Sequence, residues 1–108
     1  MSQFETLDQL VATIAARAEA GDATSSYVAK LLQKGSGHIA KKLGEEAVEA
    51  AMAAAKGDRE NLVYESADVL FHLLVLWQSA GIAPAAVMDE LARREGTSGI
   101  AEKASRKE

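Results

Sequence analysis

The nine residues VLFHLLVLW, Val69 to Trp77, are apolar around nearly the whole circumference of a helix, with only His72 breaking the run. A helix without a polar face must be buried on all sides. A single chain of this size, folded in two layers, can hardly cover it. The expectation is therefore a second copy completing the core, in a homodimer or larger homo-oligomer; the alternative is a fifth helix covering it within one subunit. The run falls far short of the roughly 20 residues that span a bilayer, which argues for a protein core and against a membrane partner.

Helix signals surround that segment. Asp58 is a good N-cap for a helix from Arg59 to about Ala80, closed by Gly81. Upstream, Thr6 and Gln9 have the spacing of a capping box before a helical pattern that ends at Gly21. Ser25 or Ser26 can cap a second helix through Gln33, and Ser36 a third that runs to Lys56 with Gly44 as a weak point. Pro84 suits the first turn of a fifth helix reaching Arg94. Of the 108 residues 22 are alanine, which favours close-packed helices over a sheet of branched side chains. The expectation is an all-α bundle of about five helices in one domain over 1–95, with a C-terminal tail, 96–108, read as a loop or flexible flap of at most one helical turn. Ala47, Ala50, Ala51 and Ala54 are read as packing positions.

A net charge of -4 argues against nucleic acid, whose recognition requires clustered Lys and Arg. The absence of cysteine excludes disulfides, thiolate metal sites and cysteine nucleophiles. The first twenty residues lack a basic stretch followed by an apolar run, so a cytoplasmic location is expected.

Within this helical frame GEEAVE, Gly44 to Glu49, sets like charges side by side, and ESAD repeats the feature with Glu65 and Asp68 three residues apart. An antiparallel hairpin of the third and fourth helices would bring Glu46 and Glu49 opposite Glu65 and Asp68 at the edge of the apolar face. Four carboxylates in one groove repel unless protonated or bound to a cation. Oxygen-only donors suit Mg²⁺, or Mn²⁺, and Mg²⁺ usually completes its shell with water and phosphate. The alternative is a solvated acidic face paired with Lys41 and Lys42. His72 is read either as a hydrogen-bonded core residue or as steadying Asp68, and His38 as a surface residue. Lys30, Lys34, Lys41 and Lys42 flank the acids, while Arg93, Arg94, Lys103, Arg106 and Lys107 gather near the end.

The sequence EEAVE followed after fifteen residues by ESAD resembles the EExxE...ExxD signature of the all-α nucleoside triphosphate pyrophosphohydrolases, the MazG-like superfamily. The longer run from SYVAKLLQKGSGHIAKKLGEEAVE to ESADVLFHLLVLW, with the ending GTSGIAEKASR, is similar to the phosphoribosyl-ATP pyrophosphohydrolase family of histidine biosynthesis. That resemblance implies Mg²⁺-dependent hydrolysis of phosphoribosyl-ATP to phosphoribosyl-AMP and pyrophosphate. It also implies metal ligands at Glu46, Glu49, Glu65 and Asp68, and Glu45 as the residue that positions or deprotonates the attacking water. Lys30, Lys42, Arg94, Lys103 and Arg106 become candidates for contacts to the substrate's extra phosphate. Two alternatives stay open: a housecleaning nucleotide pyrophosphatase of the same superfamily, and a non-enzymatic helical interaction module.

Overall fold

The computed structural model describes residues 3–96 and 99–106. Six helices follow one another: α1 Glu5–Ala20, α2 Tyr27–Lys34, α3 Ser36–Lys56, α4 Arg59–Ala80, α5 Pro84–Arg94 and α6 Gly99–Ser105. There is no strand among the described residues, so the fold is all-α.

The joints follow local chemistry. Asp22 accepts hydrogen bonds from the Thr24 backbone N–H at 3.1 Å and from the Thr24 and Ser25 hydroxyls at 2.6 and 2.7 Å, turning the chain after α1. Ser26, rather than Ser25, then caps α2 by accepting from the Ala29 N–H at 3.2 Å. Gly35 alone separates α2 from α3. Between α3 and α4, Gly57 adopts φ 73°, the left-handed conformation that costs a residue without Cβ nothing. The Asp58 N–H reaches back to the Ala53 carbonyl at 2.9 Å, and the Asp58 carboxylate accepts from the Asn61 N–H at 3.1 Å. One helix is closed and the next opened within two residues. At the far end of the hairpin the Ser36 and Ser79 hydroxyls bond at 2.6 Å.

Several local expectations are corrected. The Thr6–Gln9 capping box does not form: α1 begins at Glu5 behind Phe4 with no side-chain cap, and Glu5 and Asp8 instead place negative charge at its positive end. Ser36 is the first residue of α3 rather than its cap, its hydroxyl being engaged by Ser79. Gly44 leaves α3 unbroken. The tail forms α6 instead of a loop, although residues 97, 98, 107 and 108 lie outside the described residues.

Packing centres on the antiparallel α3–α4 pair, with α1 and α2 laid against it. Ile14 of α1, Val28 and Leu31 of α2, Ile39 of α3 and Leu74 and Val75 of α4 form the buried core. Within the all-apolar segment His72, Leu74 and Val75 are buried, with α1 and α2 packed on α4 more than α5, and the other residues keep part of their surface accessible. Within it Leu70 alone is exposed. Apolar surface is uncovered at the hairpin tip, where Val48 and Met52 on α3 and Val63 and Tyr64 on α4 are all more than half exposed, and also at Phe4, Leu91 and Ile100. Of the four alanines expected to pack, Ala50 alone is partly buried. Ala53 is buried and Ala50 half-buried on the side facing α4, whereas Ala47, Ala51 and Ala54 turn outward. No single helix among the described residues is long and apolar enough to cross a membrane.

Ile39 is fully enclosed at 0% exposure where α3 meets the rest of the core. Ile39→Ala should lower unfolding stability by about 2–5 kcal/mol, through lost burial and the cavity left behind. Equilibrium denaturation should show this as a lower midpoint with little change in slope.

Candidate active site

The turn at Gly57 and Asp58 and the Ser36–Ser79 contact set the register of the hairpin, and that register brings Glu46 and Glu49 of α3 against Glu65 of α4. One carboxylate oxygen from each lies within 4.8 Å of the other two. The three differ in setting: Glu49 is exposed, Glu46 half-buried and Glu65 only 5% exposed. Asp68 stands one turn further along α4, half-buried and outside this closest group, and Glu45 is exposed beside Glu46 on α3.

Glu65 bears the electrostatic cost. Its Oε2 is buried without a hydrogen-bond partner, and two further carboxylates face it. Its pKa is pushed up to about 8, first by hydrogen bonding with Glu46 and then Glu49, which requires a proton on Glu65, then by burial and by the like charges of both neighbours. Neither Lys41 nor Lys42 forms an ion pair with these acids among the described residues, so they are not a salt-bridged surface. Three converging hard oxygen donors, one of them orphaned and buried, fit a divalent cation such as Mg²⁺ or Mn²⁺.

His72 is buried two turns beyond Glu65 on α4, and its Nδ1 lies 2.8 Å from the Asp68 backbone carbonyl. A carbonyl only accepts, so Nδ1 carries a proton, and Nε2 is buried without a partner. His72 therefore holds the Asp68 main chain and not its carboxylate. The Phe71 ring meets it edge-on at 5.2 Å and stacks on Tyr27 at 6.0 Å.

A second charged feature adjoins the acids. Lys30 and Lys42 share a groove of about 230 Å³ between α2 and α3 with Tyr27, Leu31, Lys34 and His38. Lys34, expected only as a flanking charge, and His38, expected on the surface, both line this groove, and His38 is half-buried. A signal was present, since positions 30, 34, 38 and 42 are four apart, but Gly35 interrupts the helix that would align them. Burial and then the Lys34, Lys42 and Lys41 charges lower the His38 pKa, against a smaller opposing pull from Glu45. Arg94 is not brought here. It donates to Glu90 at 2.9 Å on α5, and together with Arg93 it holds the Glu90 pKa down at about 2. Lys103 and Arg106 lie in or just after α6, and the main packing pairs involve only α1 to α4.

The fold and this site define a protein of the helical type in which two acidic motifs on a central hairpin converge on one point. The family model described as phosphoribosyl-ATP pyrophosphohydrolase matches residues 7–95. A phosphoribosyl-ATP pyrophosphatase of Rhizorhabdus wittichii is 60% identical over 101 residues, covering 94% of this chain and 94% of that protein. One from Azospirillum brasilense is 56% identical over 94% of this chain and 90% of its own length. Another, from Allorhizobium ampelinum, is 56% identical over 98% of this chain and 100% of its length. The chain belongs to the phosphoribosyl-ATP pyrophosphohydrolase family.

A pH dependence follows from Glu65. Its carboxyl titrates near 4.5 ordinarily and at about 8 when folded, so between these values the native state holds more protons. The stability this contributes is fully present below the lower value and is lost as pH rises through the upper one. In metal-free protein with chelator present, the melting temperature should fall from about pH 5 to about pH 8. Glu65→Gln should flatten that fall, and a variant that keeps the parent's slope would show that Glu65 does not cause it.

Proposed function

We propose that this chain hydrolyses the α–β phosphoanhydride of phosphoribosyl-ATP to phosphoribosyl-AMP and pyrophosphate, the second step of histidine biosynthesis. The observation that carries this reading is the convergence of Glu46, Glu49 and Glu65 within the region matched by the family model. We assign the catalytic domain to 1–95 and leave 96–108 as an appended tail, since the match ends at Glu95.

Glu46, Glu49 and Glu65, with Asp68 one turn on, would hold Mg²⁺, or Mn²⁺ in its place. When bound, the ion supplies neutralising charge to the triphosphate and polarises the attacked phosphorus. Glu45 projects from the exposed flank of the same helix, where it can take the proton of the attacking water. The water oxygen bonds to phosphorus, the bridging P–O bond breaks and pyrophosphate leaves with the electron pair. Lys42, one turn before Glu46, supplies positive charge to that leaving group. His72 keeps Asp68 in place through its backbone carbonyl. Sites for Arg94, Lys103 and Arg106 on the substrate would need α5 and α6, or those of a second copy, to approach the groove.

Val48, Met52, Val63, Tyr64 and Leu70 support a second copy packed on the hairpin, because a monomer would leave this apolar strip in water. The scattering mass at micromolar concentration should be at least twice 11.4 kDa. A stable monomer would remove the dimer.

Pyrophosphate should be the product from phosphoribosyl-ATP, with kcat/KM well above those for ATP, dCTP and dUTP. Equal or faster turnover of an ordinary triphosphate would move the chain to the housecleaning branch, and orthophosphate would contradict the cleavage site. Glu45→Gln should lower turnover about 100-fold or more while millimolar Mg²⁺ still raises the melting temperature. Near-normal turnover would take Glu45 out of the mechanism.

A further inference from the structure

The groove between α2 and α3 concentrates positive charge that no ion pair among the described residues neutralises. Lys30, Lys34 and Lys42 line it with His38, and no carboxylate shares the lining. None of the three lysines is in an ion pair among the described residues. Like charges gathered around a concave surface repel, and an anion seated there relieves the repulsion. Tyr27, about half exposed and backed by Phe71, adds an aromatic wall.

Position separates two uses of this charge. Lys42 is one turn from Glu46, close enough to serve the triphosphate. His38 is two turns from Glu46, about 12 Å along the axis of α3, and Lys34 lies further back at the end of α2. Both are set back from the carboxylates along the hairpin, beyond Lys42. They suit a second anionic part of a ligand whose triphosphate is held at the carboxylates.

Resting on the reading that phosphoribosyl-ATP is the substrate, we propose that this groove is the subsite for the monophosphate of the phosphoribosyl group, with Lys34 and His38 as the residues that select phosphoribosyl-ATP over ATP. Both substrates present the same triphosphate to Glu46, Glu49 and Glu65, so selectivity must come from contacts to the added group. Lys34 supplies a charge and His38 an N–H donor. A dianion beside the imidazole also offsets the surrounding lysines and favours its protonated form.

The test measures kcat/KM for phosphoribosyl-ATP and for ATP with the parent, Lys34→Ala, His38→Ala and, as a control for general charge, Lys56→Ala from the last turn of α3. In the first two variants the ratio of the two constants should fall about ten-fold or more, while Lys56→Ala keeps the parent ratio. An unchanged ratio in both groove variants, or an equal fall in Lys56→Ala, overturns the assignment. A second measurement does not depend on turnover. Millimolar ribose 5-phosphate, followed by NMR of the His38 imidazole, should raise the His38 pKa in the parent and do so more weakly in Lys34→Ala. Absence of any response overturns the subsite. If the parent releases no pyrophosphate from phosphoribosyl-ATP, the functional reading fails, and the ribose 5-phosphate titration alone decides whether the groove takes a sugar phosphate.

Discussion

The antiparallel packing of α3 on α4 is the constraint on which everything else rests. Two residues, Gly57 and Asp58, reverse the chain, and the Ser36–Ser79 bond ties the open end. With both ends fixed, the register has little freedom, and it brings Glu46 and Glu49 to Glu65. A shift of one residue along a helix turns a side chain by about 100°, so the same sequence in another register would disperse these acids.

That juxtaposition is unfavourable by itself. A carboxylate 5% exposed, facing two others and leaving one oxygen without a partner, contributes to stability only when protonated or bound to a cation. The rest of the hairpin compensates. Ile39, Leu74 and Val75 are buried toward its other end against α1 and α2, so the apolar core sits apart from the acids and holds the helices while the site remains strained. Function and stability are divided along one helix pair, with His72 between them.

The same helix carries opposite charge in succession. Basic groups flank the α2–α3 junction, and acids begin one turn after Lys42. A substrate with phosphates at two places along its length can meet cationic side chains at one end and a metal-binding centre at the other. The chain's net charge of -4 hides this, because a sum over the whole surface says nothing about its distribution.

Much of this was legible in the sequence because it is local. Gly57 and Asp58, Ser26, Gly81 and Pro84 mark helix ends through their own backbone preferences, and those signals stand in the structure. The two acidic motifs were visible for the same reason, as helical spacing needs no knowledge of neighbours. Where neighbours decide, the sequence was silent or misleading. Only packing determines that Glu65 is enclosed while Asp68 is half-buried, that Ala53 rather than Ala47, Ala51 or Ala54 is buried, and that Leu74 and Val75 of VLFHLLVLW join the core with α1 and α2. Lys34 and His38 meet Lys42 because α2 and α3 are joined through Gly35 at an angle no periodicity records. Residue spacing determines which side chains share a face of one helix; burial, charge proximity and pKa depend on distances between helices, and those exist only once the chain has folded.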